Sequence, residues 1–213
     1  MDRDKIFSWL KAERLSLADF LDDLGAHEWE TDSLCPGWTV HDVAAHLTMS
    51  TRSTLLGTIR GVIRARGDFH TMVADQARER AARFTPAELV AQFRQTAGSP
   101  RRALGAGPLD PLVDALVHGQ DVARPLGRVR EMPEGPVMAA LAHVHDSSFY
   151  GARKRFLGTR LVATDLDWSA GEGPDEVRGP AGDLLLLATG RVSGLAALSG
   201  SGTQRIAARL GGR

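Results

Sequence analysis

The sequence contains a single cysteine, Cys35, in 213 residues. One cysteine cannot form a disulfide within the chain, and this usage is typical of a reducing compartment. The chain also lacks a long apolar run: the longest, Leu184 to Ala188, is far shorter than the roughly 20 residues that a membrane-spanning helix needs. Residues 2–5 are charged and are not followed by the apolar segment of a secretion signal. We therefore expect a cytoplasmic protein that does not enter a membrane.

An excess of charge of either sign is also missing, since the chain has 26 basic and 26 acidic residues. Nucleic-acid binding normally depends on a strong positive field, so we expect no nucleic-acid partner. The apolar share of 43% and the charged share of 24% are ordinary for a globular protein. A chain of this length can bury a core without covalent cross-links. The composition predicts a folded enzyme or binding domain and does not specify an oligomeric state.

Helical periodicity covers most of residues 1–150. Two helix starts carry capping signals, Thr39-x-x-Asp42 and Thr85-Pro86-Ala87-Glu88. The second helix has an apolar stripe at Val40, Val43 and Leu47 that continues to Ile59. The pattern predicts helices over about Asp4 to Leu24, from Thr39, over Phe69 to Ala97 with a restart at Thr85, over Pro111 to Arg124 and over Pro136 to Tyr150.

The pattern changes after Gly151. Arg160 to Asp165 has the composition of a strand, Asp167 to Pro174 is a glycine-rich turn, and Glu176 to Arg178 is a candidate second strand. Further helices are expected from Pro180 and over about Thr203 to Leu210. The chain is thus predicted to be mainly α, with a helical bundle in residues 1–150 and a small α/β domain in residues 151–213.

Asp114 and His118 are the most informative polar pair. Residues four apart lie on the same face of a helix, so both side chains can point at one ion. A carboxylate and an imidazole together suit zinc or another first-row metal. A surface ion pair is the alternative, but Leu112, Val113 and Leu116 make the segment apolar, and an unpaired carboxylate there would be costly.

His46 is the candidate third ligand, because it lies beside the apolar stripe of the second helix, and helical bundles commonly build metal sites from facing helices. A hydrogen-bonded core histidine is the alternative. Three protein ligands leave one position free for water or substrate, as in catalytic zinc sites. Asp121, one turn beyond His118, is interpreted as the acceptor of the other ring N–H of His118; a fourth ligand or a helix-end charge are the alternatives.

Other polar residues are weaker candidates. His143 and His145 are two apart and do not share a helix face. We interpret Cys35 as a packing residue rather than a nucleophile, and Trp38 as an anchor for the helix entry rather than a substrate platform. No glycine-rich loop has the spacing of a phosphate-binding motif.

Two segments of the chain resemble the signatures of the mycothiol-dependent maleylpyruvate isomerase family, which belongs with the DinB-like metalloproteins. The segments are Leu34-Cys35-Pro36-Gly37-Trp38-Thr39-Val40-x-Asp42-Val43-x-Ala45-His46-Leu47 and Leu116 to Gly127. The run from Leu161 to Gly173 is similar to the small C-terminal domain of many members. The resemblance implies a DinB-like four-helix bundle that binds a divalent metal, with zinc (Zn2+) favoured, through His46, Asp114 and His118. The family pattern has glutamate at the position of Asp114, and its functional C-terminal arginine has four candidates here: Arg153, Arg160, Arg178 and Arg191.

The resemblance implies an enzyme that uses mycothiol as a thiol cosubstrate. In such an enzyme the metal-bound thiolate adds to an electrophilic small molecule, and the outcome is isomerisation or thiol transfer. A non-catalytic metal-binding sensor or interaction module is one alternative, because a fold alone does not establish a reaction. A metal-dependent hydrolase is another, with Asp121 as its candidate general base.

Overall fold

The computed structural model describes residues 2–52, 64, 68–103 and 105–211. These residues form two compact units, residues 1–130 and residues 131–213. The predicted continuation of the second helix to Ile59 lies outside the described residues. No helix in the described part of the chain is both long enough and apolar enough to span a membrane.

The first unit is helical. Its described helices are α1 (Arg3–Asp22), α2 (Val40–Arg52), α3 (Phe69–Ala81), α4 (Pro86–Thr96) and α5 (Asp110–Ala123). Both α1 and α2 pack against α4 and against α5, which gives a four-helix bundle, and α3 packs on α2. The mainly helical fold predicted from the periodicity is therefore confirmed.

The predicted helix starts have the expected hydrogen bonds. Thr39 and Asp42 bond reciprocally at the start of α2: the Thr39 N–H donates to the Asp42 carboxylate at 3.0 Å, and the Asp42 N–H donates to the Thr39 hydroxyl at 3.2 Å. Thr85 and Glu88 form the same capping box before α4, with Pro86 in the first turn. These bonds satisfy backbone donors that a helix leaves free at its start, and so fix where each helix begins.

The bundle core consists of apolar residues at helical spacing. On α1 the buried apolar residues Ile6, Leu10, Leu17 and Leu21 are one or two helical turns apart and so lie on one face of the helix. Helix α5 differs, because nearly all of its residues from Pro111 to Ala123 are buried. A helix that is buried on most sides is held by several neighbours, which makes α5 a rigid support for polar side chains.

The second unit begins with α6 (Glu134–Asp146), followed by the short α7 (Ala152–Arg155). Helix α6 packs against α8 (Ala181–Ala188) of the same unit. The sequence had placed this helix in the bundle, with a boundary at 150/151. The boundary between independently folding domains therefore stays a prediction. In the structure, α6 packs with the residues that follow it. Helix α6 also ends at Asp146, before the predicted Tyr150, because Ser147 adopts an extended conformation.

A small mixed sheet completes the second unit, together with α9 (Thr203–Gly211). Its strands are β1 (Thr159–Ala163), β2 (Ser169–Ala170) and β3 (Asp175–Gly179), in the order β2-β1-β3. Strand β1 pairs antiparallel with β2 and parallel with β3. The small α/β element expected near the C-terminus is thus present. Strand β2 lies within the segment that was predicted to be only a turn.

Candidate metal centre

Helices α2 and α5 carry the three predicted ligands. His46 lies on α2 between the buried residues Val43 and Leu47. Asp114 and His118 lie one turn apart on α5. Since α2 packs against α5, the two helices bring the three side chains together.

The three polar groups converge on one carboxylate oxygen. His46 Nε2 is 3.5 Å from Asp114 Oδ1, and His118 Nε2 is 3.4 Å from the same oxygen. The centroids of the two imidazole rings are 5.0 Å apart. The side chains of His46, Asp114 and His118 are 18%, 32% and 12% exposed, so the group is partly open to solvent.

These distances agree with the spacing of metal ligands. Zinc binds nitrogen and carboxylate oxygen at about 2.0–2.2 Å, and tetrahedral geometry then separates two ligand atoms by about 3.3–3.5 Å. Most N–H···O hydrogen bonds are shorter, at about 2.7–3.2 Å, so the contacts of both histidines with Asp114 are long for hydrogen bonds. One potential ligand atom from each residue lies within 4.8 Å of the other two. The donor set and its spacing therefore fit a divalent ion, and its assignment as a metal site stays a prediction.

Electrostatics hold the carboxylate in its charged form. Burial by itself would raise the pKa of Asp114, but the charge of His46 and hydrogen bonds with His118 and His46 outweigh it, and the pKa lies well below its usual range. For His118, burial would lower the pKa, but hydrogen bonds with Asp114, Asp121 and Cys35 raise it well above its usual value. The carboxylates of Asp114 and Asp121, which raise the pKa of His118, would also attract a divalent cation.

Asp121 lies where the sequence placed it, beside His118. His118 Nδ1 is 2.8 Å from Asp121 Oδ2, and the Asp121 carboxylate is completely buried. A buried carboxylate accepts a hydrogen bond from the N–H of the nearer nitrogen, so the neutral ring of His118 has its lone pair on Nε2, facing His46 and Asp114. The hydrogen bond thus selects the tautomer that a metal ligand requires.

Cys35 lies closer to the site than the sequence indicated. Its Sγ is 3.2 Å from Asp121 Oδ2 and 3.6 Å from His118 Nδ1. Cys35, His118 and Asp121 also form a second group of possible metal-ligand atoms. The interpretation of Cys35 as a packing residue is incomplete, because its thiol also contacts these polar groups. No local motif in the sequence could have shown this, since 83 residues separate Cys35 from His118.

Trp38 contacts the other histidine. Its ring meets the His46 ring edge to face, with centroids 5.3 Å apart and an interplanar angle of 64°. The His46 Nδ1 atom is buried and has no hydrogen-bond partner among the described residues. Trp38 thus lies at the entry of α2, as expected, and in addition packs on a candidate ligand.

Arg14 is a further charged residue that the sequence did not single out. It is 4% exposed on α1, and its Nη1 donates to backbone carbonyls at the end of α4, including that of Ser99 at 2.9 Å. Burial lowers the pKa of the Arg14 guanidinium, and the negative charge of Asp114 opposes this effect. An arginine within an amphipathic helix is usually solvated, so the sequence carried no signal for this position.

The remaining candidates, His143, His145 and the C-terminal arginines, lie in the second unit. His143 and His145 belong to neither group of possible metal ligands found among the described residues. His145 Nδ1 is 3.3 Å from Asp146 Oδ1, and the His143 ring contacts Tyr150. The four candidate arginines have different surroundings. Arg153 pairs with Asp146, Arg160 lies near Ser169, Arg178 lies near Glu176, and Arg191 donates to the Thr189 carbonyl.

Comparison with known proteins supports the same family. Two crystal structures of the mycothiol-dependent maleylpyruvate isomerase are similar over 94% of this chain and 93% of theirs. One, a histidine-to-alanine mutant, has a TM-score of 0.63 at 14% sequence identity, and the other has a TM-score of 0.58 at 15% identity. At this identity the likeness establishes the fold. No curated protein sequence matches significantly. The family model described as "Mycothiol maleylpyruvate isomerase N-terminal domain" matches residues 10–147, well over half of the chain, and the protein therefore belongs to this family.

Proposed function

We propose that the protein is a metal-dependent enzyme that uses mycothiol as its thiol cosubstrate and acts on an electrophilic small molecule, as an isomerase or a thiol transferase. The observation that carries the proposal is the convergence of His46 Nε2 and His118 Nε2 on Asp114 Oδ1, at 3.5 and 3.4 Å, in a member of this family. Zinc is the favoured ion, because two imidazoles and one carboxylate form a donor set typical of catalytic zinc.

The three ligands supply the chemistry that this proposal needs. A bound zinc ion lowers the pKa of a coordinated thiol, and so provides a thiolate at neutral pH. Three protein ligands leave a position for that thiol. The 32% exposure of Asp114 is consistent with an open position on the solvent side of the group. His46 and His118 would bind the ion and fix its position, while Asp114 contributes the one negative charge among the three ligands.

Asp121 has a supporting role in this proposal. Its buried carboxylate holds the ring of His118 and keeps the Nδ1 proton away from the ligand position. The hydrolase alternative requires Asp121 to take a proton from water. Its complete burial and its bonds with His118 and Cys35 argue against that role, so we do not propose a hydrolase.

The first experiment is calorimetric titration of mycothiol into the metal-loaded protein, with the metal content of the same sample measured by mass spectrometry. We expect one metal ion per chain, and mycothiol binding that disappears in the metal-free protein. Asp114→Ala and His118→Ala should both lose the metal. His27→Ala, which changes an exposed histidine, is the matched control and should retain it.

The possible results separate the hypotheses. Stoichiometric metal in both Asp114→Ala and His118→Ala would overturn the ligand assignment. A bound metal without mycothiol affinity or turnover would favour the non-catalytic sensor. Consumption of an electrophile that requires both mycothiol and metal would support the enzyme, and product analysis would then distinguish isomerisation from thiol transfer.

A further inference from the structure

We propose that the turn from Cys35 to Trp38 is a positioning element for the metal centre: the Cys35 thiol fixes the carboxylate that orients His118, and the Trp38 ring orients His46. The proposal rests on the proposed function, because the two histidines that the turn would orient are the candidate metal ligands. It accounts for the part of the first signature that contributes no ligand, Cys35-Pro36-Gly37-Trp38.

The turn is held in place from several directions. The Leu34 N–H donates to the Asp121 carbonyl at 2.9 Å, which ties the turn to the residue that supports His118. Within the turn, the Trp38 N–H donates to the Cys35 carbonyl at 3.0 Å. Gly37 has a φ of +72°, which residues with a side chain rarely adopt, and Arg78 Nη2 donates to its carbonyl at 3.0 Å. The positions of Cys35 and Trp38 are therefore fixed relative to α5.

Cys35 acts through the shared carboxylate. Asp121 Oδ2 is 2.8 Å from His118 Nδ1 and 3.2 Å from Cys35 Sγ, so one buried oxygen accepts from two donors. A thiol is a weak donor, but a buried carboxylate needs every donor within reach. The second bond limits rotation of the Asp121 carboxylate, and through it the rotation of the His118 ring. The sulfur also lies against the ring edge, 3.6 Å from Nδ1.

Trp38 compensates for a missing hydrogen bond on His46. A metal-binding histidine usually donates its other ring N–H to a carboxylate or carbonyl. His118 has Asp121 for this purpose, whereas His46 Nδ1 is buried without a partner in the described part of the chain. The edge-to-face contact with Trp38 at 5.3 Å then restricts the His46 ring, together with the contact between the His46 and His118 rings. The same short turn thus supports both histidines by different means.

A direct metal ligand is the competing role for Cys35, because Cys35, His118 and Asp121 are also close enough to hold an ion. That role would require His118 Nδ1 to lose its proton. The 2.8 Å separation of Nδ1 and Asp121 Oδ2 is that of a short hydrogen bond, which needs the proton to be present. The geometry therefore favours support of His118 over a second ion.

The test compares Cys35→Ala, which removes the donor, with Cys35→Ser, which keeps one. Zinc affinity is measured by competition with a chromophoric chelator, and the spectrum of the cobalt-loaded protein reports ligand geometry. Loss of a residue that hydrogen-bonds to a metal ligand typically weakens metal binding by about 10- to 100-fold. We expect a loss near the lower end, about 10-fold, for Cys35→Ala and at least partial recovery in Cys35→Ser. A double-mutant cycle with Asp121→Asn should be non-additive.

Trp38 is tested in the same assay. Trp38→Leu should weaken zinc binding and shift the cobalt spectrum, and Trp38→Phe, which keeps an aromatic ring, should restore part of both. Trp9→Leu is the matched control, because Trp9 is a half-buried tryptophan of α1 that contacts Lys5 and not the site. Equal zinc affinity and equal cobalt spectra in Trp38→Leu and the wild type would overturn the role of Trp38.

Three results would overturn the role of Cys35. The first is unchanged zinc affinity in Cys35→Ala, and the second is an additive cycle with Asp121→Asn. The third is a cobalt–thiolate charge-transfer band in the wild type that Cys35→Ala removes, because that band would make Cys35 a ligand.

A metal-independent readout separates failure of this proposal from failure of the proposed function. In the metal-free protein, the proton on His118 Nδ1 should exchange with solvent faster in Cys35→Ala than in the wild type, by nuclear magnetic resonance. If the wild type bound no metal, the proposed function would fail, while unchanged exchange would overturn the positioning role by itself.

Discussion

Gly119→Ala should destabilise the protein, although alanine is the better helix former. Gly119 follows His118 on α5, and an added Cβ would lie 2.8 Å from Arg130 Nε and 3.2 Å from its Cδ. Arg130 Nη2 donates to Glu13 Oε1 at 2.5 Å, and the two side chains are only 7% and 4% exposed. The Gln120 side chain also donates to the Arg130 carbonyl at 2.5 Å. Arg130 therefore cannot move away from a new methyl group without disturbing a buried ion pair.

Two opposing effects set the magnitude. Alanine in place of glycine favours a helix by about 1 kcal/mol. Breaking a buried ion pair costs about 3–5 kcal/mol, because one charge is left in the interior without its partner. If the methyl group separates Arg130 from Glu13, the free energy of unfolding should fall by about 2–4 kcal/mol. For a chain of this size that corresponds to a decrease in melting temperature of roughly 5–15 °C.

Urea unfolding of the metal-free protein measures this change. Gly182→Ala is the matched control, because Gly182 is also helical and the three atoms nearest to an added Cβ all belong to Met132, the closest being Sδ at an ordinary 3.4 Å. The control should be neutral or slightly stabilising. In an Arg130→Ala background, Gly119→Ala should no longer be destabilising. Wild-type stability of Gly119→Ala, or an equal loss in the Arg130→Ala background, would refute the steric argument.

Three further changes test other parts of the structure. Asp121→Asn should weaken zinc binding about 10-fold, because the hydrogen bond to His118 loses its charge. Asp167→Asn, which changes an exposed aspartate, is the control and should bind zinc as the wild type does. Equal zinc affinity in Asp121→Asn and the wild type would contradict this prediction. Thr85→Ala should lower the free energy of unfolding by about 1 kcal/mol through loss of the α4 cap, measured by urea unfolding, and a neutral result would show that the cap contributes nothing. Raising the pH from about 6 to about 9 should destabilise the metal-free protein and strengthen zinc binding. The pKa of His118 is raised in the folded protein, so its contribution to stability is present below the pKa of the unfolded chain and is lost as the pH rises through the pKa of the folded protein. The same deprotonation frees Nε2 to bind metal. A metal-free protein that becomes more stable over this pH range would contradict the assignment.

Periodicity and spacing predicted the parts of the molecule that depend on neighbouring residues in the sequence. The capped starts of α2 and α4, and the shared face of Asp114 and His118, follow from helical geometry alone. The proximity of His46 to this pair also requires packing of α2 against α5, which the sequence predicted only through the expectation of a bundle. Long-range packing is thus the step at which prediction from the sequence became indirect.

Contacts made by turns and by buried charges were not predictable in this way. Cys35 lies in a turn with no periodic pattern, and its contact with Asp121 spans 86 residues. Arg14 resembles a solvated residue of an amphipathic helix, yet it is 4% exposed and bonds to carbonyls at the end of α4. Each of these residues bonds to a polar group of another element, and such pairings follow from the tertiary structure and not from local sequence.

Helix α5 carries most of the second signature segment, and nearly all of its residues from Pro111 to Ala123 are buried. Successive residues on a helix point in different directions, so His118 and Asp121, three apart, share the side that faces the candidate metal. Gly119 and Gln120, between them, contact Arg130. The same turn of helix therefore positions a ligand on one side and a buried ion pair on the other. A substitution at Gly119 should consequently be detected first as a loss of stability, and one at Asp121 first as a loss of metal affinity, although the two positions are only two residues apart.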